Sequence, residues 1–209
     1  MTGDLLVQNA MMVLPNRIVE GDLRVSGGSI KTIAVSGGLV PETDELVIDG
    51  TGLHLLPGGI DPHVHFRDPG NPEKEDLESG SRAAAAGGIT AFLDMPNTIP
   101  SATKLSVIQD KIRRAAKKAV THSGFFIGAT PTNLDDLIDA VGTPQNPNNT
   151  GVCGIKIFMG SSTGDLLVHE QKDLEKIFAN TGGIIATHAE DEIRLQSRIS
   201  EFSHRDDIG

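Results

Sequence analysis

The sequence predicts an α/β fold: a partial TIM-like (β/α) barrel of about five of the eight βα units, preceded by a small N-terminal β-sandwich-type domain. Three observations predict it. Short apolar runs recur through residues 57–188 and alternate with stretches of helical periodicity. Residues able to do chemistry fall at the C-terminal ends of those runs, where barrel enzymes carry their sites. Residues 4–56 follow a different rhythm, with short alternating strands separated by Gly27-Gly28 and Gly37-Gly38. The expected domains are therefore 1–56, a small antiparallel β unit, and 57–209, the N-terminal part of the (β/α) barrel.

The elements follow in order. Strand-like runs begin at 57–66, 89–95, 124–129, 152–159 and 183–188. They are too apolar for one wet face, so the sheet is expected to be parallel and covered by helices. Helices are expected near 74–87, 103–120, 133–141, 170–180 and 190–202. The second carries Leu105, Ile108, Ile112, Ala115, Ala116 and Ala119 as its apolar stripe. Arg113-Arg114 and Lys117-Lys118 are expected on its solvated face. Residues 142–151 form a polar loop. An open doubly wound sheet also places sites at strand ends. No Gly-rich phosphate turn follows the first strand, however, and the functional residues come from several strands, which favours the barrel.

Composition bounds the partners. Lys plus Arg number 18 against 28 Asp plus Glu, a formal charge of −10. That balance argues against a nucleic-acid or anionic-membrane surface, while one pocket Arg can still bind a small anionic substrate. Cys153 is the single cysteine, so no internal disulfide forms and a reducing compartment is expected. No basic leader and no membrane-length apolar run is present, and a cytoplasmic location is expected.

The segment Gly59-Ile60-Asp61-Pro62-His63-Val64-His65-Phe66-Arg67-Asp68-Pro69-Gly70 is the most informative. Residues two apart on a strand share a face, so Asp61, His63, His65 and Arg67 point one way. Two neutral imidazoles on one face can hold a divalent cation, with zinc a natural candidate. Arg67 offers a planar fork for a carboxylate. Lys156, between Ile155 and Ile157, is expected to face the barrel interior, where burial and nearby cations lower its pKa. A neutral lysine there can form a carbamate with carbon dioxide; a lysine paired with an acid also fits the position. His188 ends the fifth run, as a ligand or as a hydrogen-bonded core residue. Asn97 follows Pro96 at the end of the second run, with its amide free at the mouth or serving a turn. His54, His122, His169 and His204 lack such positions.

With these residues in view, the chain resembles the dihydroorotases of the amidohydrolase superfamily. The resemblance rests on residues 59–70, 76–88, 94–100, 156–164 and 188–191. It implies that His63 and His65 bind one zinc, that a carboxylated Lys156 bridges two, and that His188 binds the second. It also implies that Arg67 and Asn97 hold the substrate carboxylate. Hydantoinases typically follow the bridging lysine with a substrate-binding tyrosine, whereas this chain has no Tyr and continues Gly160-Ser161-Ser162. Allantoinases usually lack an arginine at the Arg67 position. The implied reaction is the interconversion of (S)-dihydroorotate and N-carbamoyl-L-aspartate in pyrimidine biosynthesis. The family's later metal-binding histidine and catalytic aspartate have no counterpart after His188, so the general base is expected beyond Gly209. A half barrel leaves open edges, so a homo-oligomer or a partner chain covering them is expected. Two other readings stand beside this one: a non-catalytic amidohydrolase-like fragment or subunit, and a different cyclic-amide hydrolase of the allantoinase or hydantoinase type.

Overall fold

A computed structural model describes residues 3–160 and 165–205. The chain divides into two compact units, Met1–Gly58 and Gly59–Gly209.

The first unit is built on one five-stranded sheet. Strands β1 (Leu5–Leu14), β2 (Arg17–Ser26) and β3 (Ser29–Val35) form an antiparallel meander. Gly27 and Gly28 close the β2–β3 hairpin, both at positive φ, as a two-residue turn between right-twisted strands requires. The unit is not purely antiparallel as expected. Strands β4 (Leu46–Asp49) and β5 (His54–Leu55) both run parallel to β1, along its free edge. The 36–45 connection returns the chain to the starting end of β1, so β4 can only enter in the same direction. A bulge at Asn9 turns its amide to the buried Asp22 carboxylate, which also accepts the Leu39 amide.

The second unit alternates strand and helix throughout: β6 (Gly59–Val64), α1 (Leu77–Ala86), β7 (Ile89–Asp94), α2 (Leu105–Lys118), β8 (His122–Gly128), α3 (Leu134–Val141), β9 (Val152–Phe158), α4 (Gln171–Asn180), β10 (Ile185–His188) and α5 (Glu192–Phe202). All four strand pairings are parallel, and spatial order follows chain order from β6 to β10. A doubly wound sheet would reverse its order at a switch point. Winding in one direction gives an arc of a (β/α) barrel.

Side-chain alternation builds two faces. Phe92, Phe125, Ile127, Ile155 and Ile157 meet Leu77, Ile108, Ala115, Leu137, Ala140 and Ile177 from the helices in one core. The intervening residues, Phe126 and Lys156 among them, take the concave face. Gly80 of α1 lies where a Cβ would fall 2.5 Å from the Phe66 ring, so only glycine lets α1 close over that ring. Asp76 caps α1 by accepting the Ser79 amide at 2.7 Å, and Ser79 returns a bond from the Asp76 amide.

Three expectations need correction. Strand β6 stops at Val64, so His65 and Arg67 sit in the loop beyond it. The buried side of α2 runs through Ile108, Lys111 and Ala115, while Ile112 is partly exposed. Arg114 and Lys118 are not a free solvated face: both reach the buried Asp68 carboxylate. Among the described residues no helix is long and apolar enough to cross a membrane.

Candidate functional site

The loop after β6 is fixed from several sides. The Arg67 amide donates to the Glu75 carbonyl at 2.9 Å, and the Asn71 amide to the Arg67 carbonyl at 2.8 Å. Gly70, at φ +127°, makes the turn that Pro69-Gly70 predicts. The Met95 amide donates to Val64 and the Ile99 amide to Pro69, joining this loop to the one after β7.

Within that frame the two imidazoles meet. Their Nε2 atoms are 3.2 Å apart, although His65 lies past the strand end. Two nitrogens each ~2.0–2.1 Å from a tetrahedral ion stand about 3.3 Å from one another. The pair is thus spaced as two ligands of one cation. His65 Nδ1 lies 2.7 Å from Asn97 Oδ1. Because that oxygen can only accept, Nδ1 carries the proton and Nε2 keeps its lone pair, the tautomer a metal needs. Both imidazoles titrate below the ordinary range. Burial is the main cause for each, and the Lys156 ammonium adds to it, most for His63; for His65 Arg67 adds more, and the Asn97 bond opposes. Both therefore stay neutral near neutral pH, ready to coordinate.

Lys156 is buried at 1% exposure, with Nζ 5.1 Å from the Phe158 ring centre. It forms no ion pair among the described residues, so the acid-paired alternative is not realised there. Burial lowers its pKa. His188 Nε2 faces Glu190 Oε2 at 3.1 Å. A proton on His188 would lower the His63 pKa further. The structure thus joins His63, His65 and Asn97 by direct contact. Lys156 and His188 stand on the neighbouring strands β9 and β10, where Lys156 pairs with Ala186 and Phe158 with His188. Among the described residues no three His, Cys, Asp or Glu side chains cluster closely enough to hold a metal. The fit to a cation rests on the His63–His65 pair and on Lys156, a residue type outside that set. Residues 161–164 of the lysine motif, including Ser161 and Ser162, lie outside the described residues.

Beside the imidazoles opens a cavity of about 470 Å³ lined by Arg67, Asn71, Lys74, Asn97, Thr98 and Ser101, with Pro69 and Ile99. Its described lining contains two cations and no carboxylate. With Asn97 Oδ1 bound to His65, the amide NH2 is the group left for a ligand.

Sequence reasoning missed the support beneath this site. Asp94 and Lys111 form an ion pair at 2.8 Å with both side chains fully buried. Asp94 also accepts the Phe66 amide at 2.9 Å, and Lys111 donates to the Met95 carbonyl at 3.0 Å. Burial outweighs the pairing for both, raising the Asp94 pKa and lowering that of Lys111. The spacing of Lys111 three after Ile108 and four before Ala115 was the available signal.

Known proteins agree with this layout. The sequence model of the amidohydrolase family matches residues 54–192. A Deinococcus radiodurans protein named allantoinase is 36% identical over 204 residues, covering 91% of this chain and 41% of that protein. A Methanosarcina acetivorans protein named dihydroorotase is 34% identical over 197 residues, covering 92% and 40%. Among solved structures, the L-hydantoinase (dihydropyrimidinase) of Arthrobacter aurescens superposes with a TM-score of 0.82 at 28% identity, covering 96% of this chain and 44% of that one. The chain spans about two fifths of the length of the curated relatives it matches. A parallel arc of βα units with paired histidines at the end of its first strand, and a family match across most of that arc, establish that this chain belongs to the amidohydrolase family.

Proposed function

We propose that this chain carries the metal-binding and anion-binding half of a zinc-dependent cyclic amidohydrolase, and that its substrate is (S)-dihydroorotate, interconverted with N-carbamoyl-L-aspartate. The observation that supports this substrate over neutral rings is the cavity beside His65. Arg67 and Lys74 line it without a compensating described carboxylate, so it favours an anion. Dihydroorotate bears a carboxylate, whereas allantoin and hydantoin rings do not.

Each residue then has a task. His63 and His65 would hold one zinc, His188 a second, and Lys156, carboxylated, would join them. When bound, zinc supplies an activated water and polarises the ring carbonyl. Arg67 takes the carboxylate through its fork, and the Asn97 NH2 adds a donor. Holding the ring at that end turns its carbonyl toward the imidazole pair. Asn97 also keeps His65 in the ligating tautomer. Hydrolysis further needs a group that carries a proton to the leaving nitrogen. No described residue is assigned that task, so zinc binding without turnover is the behaviour expected of this chain alone.

A second reading has its own support, since relatives named allantoinase match as well as those named dihydroorotase. Titrating the zinc-loaded chain with dihydroorotate, allantoin and hydantoin separates the two. Dihydroorotate should bind most tightly, and Arg67→Ala should weaken it by about tenfold or more, as loss of a charge-assisted fork does. If the chain is supplied with whatever completes catalysis, the same variant should raise KM more than it lowers kcat. Equal binding of allantoin, indifferent to Arg67→Ala, would move the assignment to the neutral-ring hydrolases.

A further inference from the structure

Helix α2 does more than cover the sheet. Lys111, Arg114 and Lys118 fall three and four residues apart, on one stripe of the helix. Lys111 meets Asp94, while Arg114 and Lys118 meet Asp68 at 3.6 and 2.5 Å. Both carboxylates are buried, Asp68 at 2% exposure. Burying two carboxylates is costly unless they are paired, and α2 supplies every cation they pair with among the described residues. Asp94 holds the Phe66 amide. Asp68 is itself part of the loop. The residues on either side of Arg67 are therefore both tied to α2, and Arg67's own amide and carbonyl are bonded to Glu75 and Asn71.

We propose that the Lys111–Arg114–Lys118 stripe is a positioning device for the anion clamp: through Asp94 and Asp68 it fixes the backbone from which Arg67 reaches the cavity. This rests on Arg67 being the substrate-carboxylate clamp. A bidentate fork discriminates only when its base is held, because free rotation of the loop spends binding free energy on ordering. Lys118 and Arg114 are partly exposed, with side chains 38% and 43% accessible, so they can be changed without opening the core.

The test uses the full zinc-loaded chain as parent, an Arg114→Met/Lys118→Met double variant and a Lys118→Arg variant. Amide hydrogen exchange at Arg67 and Asn71 should speed up about tenfold or more in the double variant, with β8 amides unchanged. Dihydroorotate should bind about tenfold more weakly. Zinc per chain should match the parent, and Lys118→Arg should behave as the parent in both readouts. If β8 exchange also rises, the single Lys118→Gln variant decides on the same readouts. Parental exchange at Arg67 and Asn71 in a folded variant would overturn the proposal. If the parent binds no dihydroorotate, the substrate reading fails, and faster exchange at Arg67 in the double variant, with parental exchange in Lys118→Arg, still decides whether α2 positions the loop.

Discussion

Asn97 illustrates how much one side chain can carry. Its carbonyl oxygen fixes the His65 proton on Nδ1, and the residue itself lines the cavity. Asn97→Leu keeps the volume but removes both functions. Zinc affinity should fall about 10- to 100-fold, the usual cost of losing a partner behind a ligating histidine. Competition against a chromophoric chelator measures it, and an unchanged affinity would deny Asn97 the orienting role. The imidazoles also set a pH dependence. Both are held below the ordinary imidazole value of about 6.5. The unfolded chain therefore takes up protons at these positions before the folded chain does. Their contribution to the stability of the metal-free protein is complete above about pH 6.5 and is lost as pH falls through the lowered folded values. The urea midpoint should drop between about pH 7.5 and about pH 5.5. A His63→Asn/His65→Asn variant should show a smaller drop, and an equal drop would place the effect elsewhere.

At the scale of elements, α2 is decisive. Lys111→Met leaves the Asp94 carboxylate buried without its cation and removes a donor from the Met95 carbonyl. Breaking such a pair costs about 3–5 kcal/mol. Denaturant unfolding should show a loss of that size; a loss under about 1 kcal/mol would mean that Asp94 is stabilised without Lys111. This helix also shows what a sequence reveals and what it conceals. Its span was legible from apolar spacing to within two residues at each end. Its buried lysine was not, because a periodicity count admits only apolar residues and assigns Ile112 to the core in place of Lys111. Arg114 and Lys118 look like solvated charge until Asp68, 50 residues from Lys118 in the chain, is brought against them. Strand β6 was misjudged for a related reason. The apolar run continues to Phe66, but the Phe66 amide bonds to a side chain, Asp94, and not to the β7 backbone, which ends the ladder at Val64. The parallel entry of β4 and β5 had no local signal at all, since pairing direction is set by the path of the connection.

For the whole molecule, the alternation of βα units announced the arc, and the consecutive strand order is the fact that distinguishes a barrel from a doubly wound sheet. The edges of that arc are β6 and β10. Ile60 on β6 is 64% exposed, Ile184 beside β10 is 68% exposed, and α5 buries none of its residues. The candidate site was legible because histidine, lysine and arginine stand out at the ends of apolar runs. Its supporting layer was hidden because its side chains meet only in three dimensions. Counting zinc per purified chain, in the parent and in a His63→Ala/His65→Ala variant of unchanged fold, decides whether the two imidazoles hold a metal. The parent should hold zinc and the variant should lose it; a parent that binds none, or a variant that keeps it, would contradict a metal centre built on these two imidazoles.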